Sequence, residues 1–171
     1  MRIAILGAAL ALAACNEGAE PANDPAGDAA TPAAPATIEP AGLEVLGESD
    51  ISGAALKGEL ACGFRREGEG EGLLFLGRGN VDRTEGATGA VKYAGQVVSV
   101  AIDGTGGYDA MADGARFTGE GLSLSIAPQD GEPLAEDPQI AMESPLHPAT
   151  LTFTPEGGPE QAIQGLYECG P

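Results

Sequence analysis

Few side chains in this sequence are placed to do chemistry: three cysteines, one histidine, and short runs of aspartate and glutamate set among glycines. His147 is the only histidine and sits between prolines, in Pro145-Leu146-His147-Pro148. Nucleophilic catalysis needs a base, a nucleophile within its reach and an acid that orients the base. Nothing local to His147 marks either partner. Gly121-Leu122-Ser123-Leu124-Ser125 approaches a nucleophile elbow but lacks its final glycine. Asp103, Asp109 and Asp113 are hard oxygen donors in a glycine-rich stretch, yet they miss the EF-hand spacing and its closing glutamate. Gly104-Thr105-Gly106-Gly107 follows a strand pattern but opens no lysine- or serine-bearing helix, so it reads as a turn rather than a phosphate cradle. Glu67, Glu69 and Glu71 alternate with glycines as a solvated hairpin tip would. These residues point to a protein that is not an enzyme and that carries no metal and no cofactor.

The remaining chemistry is that of the cysteines. Cys15 closes a segment with a positive start at Met1-Arg2, an apolar run from Ile3 to Leu12, and small residues before the thiol. That is the form of a secretory signal, and the run is too short to span a bilayer, which takes about 20 apolar residues. Leu12-Ala13-Ala14-Cys15 resembles the lipobox of bacterial lipoproteins. The resemblance implies that residues 1–14 are removed, and that Cys15 becomes the mature N-terminus and carries diacylglyceryl and fatty-acyl (palmitate) groups. Two or more acyl chains hold a protein stably where one does not. Asn16, in the position where an aspartate retains many such lipoproteins at the inner membrane, implies the periplasmic face of the outer membrane.

An exported chain left with Cys62 and Cys169 is expected to pair them, because the periplasm permits disulfides. One histidine and no Cys-x-x-Cys spacing argue against a metal site or a catalytic thiol.

Charge narrows the partners. The chain has 26 acidic and 8 basic residues, and loss of residues 1–14 takes only Arg2, leaving 7 bases against 26 acids, or −19. Nucleic acid needs lysine and arginine on its phosphates, so it is excluded as a partner, as is electrostatic attachment to anionic lipid. Basic proteins and cations would be attracted.

Residues 15–42 read as a lipid-anchored, disordered linker rich in Ala, Pro and acid, with Pro21, Pro25, Pro32, Pro35 and Pro40 and no aromatic. The folded part spans 43–171 and holds every aromatic residue: Phe64, Phe75, Tyr93, Tyr108, Phe117, Phe153 and Tyr167. Period-two alternation dominates it. Leu56, Gly58, Leu60, Cys62 and Phe64 share one face; Val98, Val100 and Ile102 another; then Leu122, Leu124 and Ile126; Ala149, Leu151 and Phe153; and Ile163, Gly165, Tyr167 and Cys169. Glycine turns separate these runs, for example Glu69-Gly70-Glu71-Gly72 and Gly119-Glu120-Gly121. The pattern predicts an all-β domain, a small antiparallel barrel or sandwich. Cys62 and Cys169 would face inward on the first and last clear strands, as neighbours. The proline- and acid-rich segment 128–148 reads as a disordered or functional loop.

Asp113-Gly114-Ala115-Arg116-Phe117-Thr118-Gly119-Glu120-Gly121-Leu122 resembles part of the membrane-bound inhibitors of c-type lysozyme, and Ala149-Thr150-Leu151-Thr152-Phe153 and Tyr167-Glu168-Cys169 are similar to that family's closing strands. The resemblance implies a small antiparallel barrel with a disulfide near its ends and a partner contact at Asp113, Arg116 and Phe117. It departs at Asp113, where the inhibitors present a serine, and after the second strand, where Ser125-Ile126-Ala127-Pro128 has neither their Trp nor their Lys. The function expected is a lipid-anchored envelope lipoprotein whose non-catalytic acidic domain binds a protein or envelope component. The alternatives are inhibition of c-type lysozyme and, least, an envelope hydrolase.

The anchor gives a direct prediction. Cys15→Ser removes the sulfur that would be acylated, so the protein should leave the detergent phase and appear soluble or uncleaved on phase partitioning of cells. Unchanged membrane partition would contradict the lipoprotein reading.

Overall fold

The computed structural model describes residues 42–68, 70, 72–81, 84–134 and 144–171. The expected signal, Cys15 and the linker as far as residue 41 lie outside the described residues, as do Glu69, Glu71 and the middle of the 128–148 segment. Among the described residues the elements run β1 (Leu43–Glu44), α1 (Glu48–Gly53), β2 (Leu60–Arg66), β3 (Leu73–Gly79), β4 (Thr88–Tyr93), β5 (Gln96–Ile102), α2 (Tyr108–Ala112), β6 (Arg116–Gly119), β7 (Leu122–Pro128), β8 (Leu146–Pro155) and β9 (Gln161–Gly170).

Every strand pairing is antiparallel, and the order β4-β3-β2-β9-β8-β7-β6-β5 closes on itself through β4–β5 into an eight-stranded barrel. β5 runs along one edge of β4, from Thr88↔Ala101 to Tyr93↔Gln96. On the other edge β3 covers Thr88 to Val91, and β1 takes over at Lys92 and Tyr93. β1 is thus a continuation of β3 made from an earlier part of the chain.

The period-two pleat sorts the side chains. From Pro148 to Pro155 β8 alternates half-buried and buried residues, and Cys62, Phe64, Phe75, Phe117, Leu151 and Phe153 are fully buried. Eight strands leave an interior just wide enough for side chains to fill, and aromatic rings fill it. Phe75 and Phe117 meet at 4.9 Å between centroids, and Tyr93 meets Phe153 edge-on at 6.1 Å. Glycines make room for these rings: a Cβ on Gly89 or Gly77 would lie 2.5 or 2.8 Å from the ring of Phe75.

Cys62 and Cys169 face each other across β2 and β9 and form a disulfide, with Cα atoms 4.1 Å apart. The short spacing matches the closer of the two kinds of antiparallel pair. The link joins the first and last strands of the ring.

Three expectations need correction. The first long strand begins at Leu60, not Leu56. Leu56 and Gly58 belong to a lead-in along the barrel's outside, held where Lys92 Nζ meets Asp50 Oδ2 at 3.0 Å, where Arg78 Nη1 donates to the Gly58 carbonyl at 3.3 Å, and where the Glu59 N–H donates to Asn80 Oδ1 at 3.2 Å. Gly58 has φ +141°, and a Cβ there would collide with the backbone of Gly79. Ala55, with φ 48°, sits in the left-handed region, which costs a residue with a Cβ about 1–2 kcal/mol. Second, both helices escaped the pattern. Third, the 128–148 segment is not one loop. Pro128 ends β7, and Leu146, His147 and Pro148 open β8. The Gln129 N–H donates to the Pro148 carbonyl and the Leu134 N–H to that of Leu146, both at 2.8 Å. The hairpin reaches further than its prolines suggest because they stand at strand ends, where a missing N–H is tolerated.

The disulfide closes a span of 107 residues. Changing Cys62 and Cys169 together to Ala is predicted to lower unfolding stability by about 2–5 kcal/mol, read from urea unfolding of exported protein. A loss within measurement error would show that the strand pairing alone sets the barrel.

Candidate functional site

The barrel has two unlike ends. At one, tight connections join β2 to β3, β4 to β5, β6 to β7 and β8 to β9. At the other lie the longer β3–β4, β5–β6 and β7–β8 connections, and α2 is part of the second of these. α2 packs against β2 and β3. Met111 on α2 is fully buried and belongs to the core. The helix comes so near β3 that a Cβ on Gly79 would lie 2.8 Å from the Tyr108 backbone nitrogen. Tyr167, inward on β9, donates its hydroxyl to the Met111 carbonyl at 2.8 Å. Burial pushes the Tyr167 phenol well above the ordinary tyrosine range, and nearby Tyr108 adds to the shift. Burial also raises Tyr108, with a smaller contribution from the Asp109 charge. α2 is therefore a plug, fastened by the Tyr167 hydrogen bond and by the Tyr108 N–H, which donates to the Asn80 carbonyl at 2.8 Å.

The residues singled out from the sequence are separated by this architecture. Phe117 is fully buried against Phe75 and offers a partner no surface. Its neighbour Arg116 is exposed on the outer face, and Asp113 is exposed at the end of α2. The pleat that turns Phe117 inward turns Arg116 outward, so the three form no common contact. Asp103 accepts a hydrogen bond from Thr118 Oγ1 at 2.7 Å. Among the described residues no group of three His, Cys, Asp or Glu side chains is arranged to hold a metal ion. His147 pairs with Tyr167 across β8 and β9, and its buried Nδ1 has no hydrogen-bond partner among the described residues. Ser123 and Ser125 stand opposite Thr154 and Thr152 in the β7–β8 ladder. None of the described helices is long and apolar enough to cross a membrane.

Exposed carboxylates stand at both ends of the barrel. Two basic side chains on the walls are paired: Arg65 Nη1 meets Glu168 Oε2 at 3.1 Å, and Lys92 meets Asp50, while Arg116 stands exposed at the start of β6. The Asp50 carboxyl is held below its ordinary range, first by the Gly47 N–H and then by Lys92. The connections at the plugged end carry exposed carboxylates at Glu85, Asp103, Asp113, Asp130 and Glu132, and those at the other end carry them at Glu67, Glu120, Glu156 and Glu160. The outer face of β6–β8 bears hydroxyls at Thr118, Ser123, Ser125, Thr150, Thr152 and Thr154. This acidic rim is the candidate site. Its residues were visible in the sequence as scattered acids, and the loop layout places these five at the plugged end. The Tyr167–Met111 contact had no local signal, since it joins residues 56 positions apart.

Set against protein-family models, curated proteins and solved structures, the chain matches none. No match bears on the resemblance to lysozyme inhibitors read from the sequence.

The plug yields two linked predictions. Tyr167→Phe leaves the Met111 carbonyl without its donor and should cost about 1–3 kcal/mol. A phenol whose folded pKa is raised stabilises the fold fully below its unfolded value of about 10 and progressively less as pH climbs beyond it. Stability should therefore fall above about pH 10, and Tyr167→Phe should flatten that fall. Parallel stability–pH curves for the two proteins would contradict the assignment.

Proposed function

We propose that this chain is a non-catalytic envelope lipoprotein, held by lipid on Cys15 at the periplasmic face of the outer membrane, whose acidic rim captures a basic protein. The observation that carries the reading is the set of exposed carboxylates at the plugged end, Glu85, Asp103, Asp113, Asp130 and Glu132. Clustered charge of one sign raises the encounter rate with an oppositely charged partner more than it raises final affinity. The filled interior supports a surface role over carriage inside the barrel.

Lysozyme is a basic partner to which the β6–β7 resemblance directs attention. Inhibition would require donors set against the two catalytic carboxylates of its cleft. Asp113 brings an acceptor and a negative charge where the inhibitors bring a hydroxyl. Phe117 is unavailable. The reading is therefore attraction without blockade.

The prediction is weak lysozyme binding that fades with salt, since the Debye length is about 8 Å at physiological ionic strength and shorter above it. Binding and cell-wall lysis would be followed at low salt and at about 0.3 M NaCl. Converting Glu85, Asp130 and Glu132 to their amides should slow association, read by surface-plasmon kinetics. Tight inhibition that survives high salt would overturn this reading in favour of true inhibitor activity.

A further inference from the structure

The lead-in from α1 to β2 does more than cross the barrel wall. Together with the outer faces of β4, β5 and β6 it encloses an open groove of about 440 Å³. Its floor follows the register Thr88↔Ala101↔Thr118 across the three strands. These side chains are small, and Ser99 beside them is small too, so space remains above them. Ala54, Ala55 and Leu56 form the opposite wall. The volume lies within the range of small-molecule sites, about 300–1,000 Å³.

Three observations bear on the occupant. The lining is mainly aliphatic, and its one ionisable group is Lys57. Lys57 is exposed and has no ion pair or hydrogen bond among the described residues, whereas Arg65 and Lys92 on the walls are both paired. The wall is also held in an unfavourable backbone: Ala55 is left-handed, and Gly58 closes the turn against Gly79. Such strain persists only where the surroundings fix it, and it concentrates at ligand sites.

A ligand for this groove must meet a domain of strongly negative charge, which repels polyanions. It needs a single negative charge for Lys57 and an apolar body that supplies the rest of the affinity. We propose that the groove binds a fatty-acid anion, with its alkyl chain against Ala54, Leu56 and Ala101 and its carboxylate on Lys57. An esterified acyl chain lacks the carboxylate and would leave the ammonium without a partner. This assignment does not depend on the acidic rim or on the anchor.

The test uses the full chain with Cys15→Ser, so that no acyl group of its own competes, and dodecanoate below micelle-forming concentration. Amide NMR shifts should saturate and centre on Ala54 to Lys57, Ala101 and Thr118. Affinity should rise about two- to fourfold per methylene from octanoate to dodecanoate. Lys57→Gln should weaken dodecanoate about three- to fivefold while leaving methyl dodecanoate unchanged. Ala101→Phe, an outward substitution that fills the groove, should abolish binding while thermal unfolding stays near that of the parent. Shifts centred elsewhere, no saturation, equal affinity for acid and ester in the parent, or binding that survives Ala101→Phe would each overturn the proposal. So would a groove that takes an apolar peptide and rejects dodecanoate.

Discussion

The pairing of β2 with β9 is the contact on which the rest of the barrel depends. It brings together strands whose facing cysteines are 107 residues apart, and without it the eight strands are an open, curled sheet with two free edges. Exposed edges template aggregation, and closure removes them. Closure also defines an inside. Only when β2 meets β9 do Phe64 and Tyr167 stand side by side in the ladder, with Phe75, Phe117 and Phe153 also enclosed. Long-range pairing is slow to form because the loop entropy must be spent first. A covalent link at Cys62–Cys169 removes much of that entropy from the unfolded chain.

Where the pleat alone decides, the sequence was readable. Leu122, Leu124 and Ile126, and likewise Ala149, Leu151 and Phe153, alternate with polar residues and are buried as that alternation requires. The inward placement of Cys62 and Cys169 follows from the same rule. Where a short element departs from a period, it was not readable. A five-residue helix such as Tyr108–Ala112 completes little more than one turn, and in a glycine-rich stretch it reads as loop. Leu56, Gly58 and Leu60 keep strand-like spacing by coincidence, since Gly58 is there for its backbone and its nearness to Gly79. The resemblance grouped Phe117 with Asp113 and Arg116, yet one step along a strand reverses the face.

The surface divides into parts with different physical character. The walls pair Arg65 and Lys92 and present hydroxyls, the connections at both ends carry carboxylates, and among the described residues the lead-in leaves Lys57 unpaired beside aliphatic side chains. A filled barrel cannot hold a ligand at its centre, which leaves the loops and the lead-in on its exterior as the places where a ligand would fit. The aromatic core and the recognition surfaces can therefore vary independently, apart from the glycines that touch both.

The position of β1 has a mechanical consequence. Tension arriving along the chain ahead of Gly42 reaches the two-residue β1 first, then α1 and the Lys92–Asp50 contact, and only then the strands of the ring. All of that lead-in precedes Cys62, so it lies outside the covalently closed span from Cys62 to Cys169. A pull from that side would strip β1 and α1 from β4 before it reached the staple at Cys62. The barrel can thus be tugged by its leading end without being unravelled.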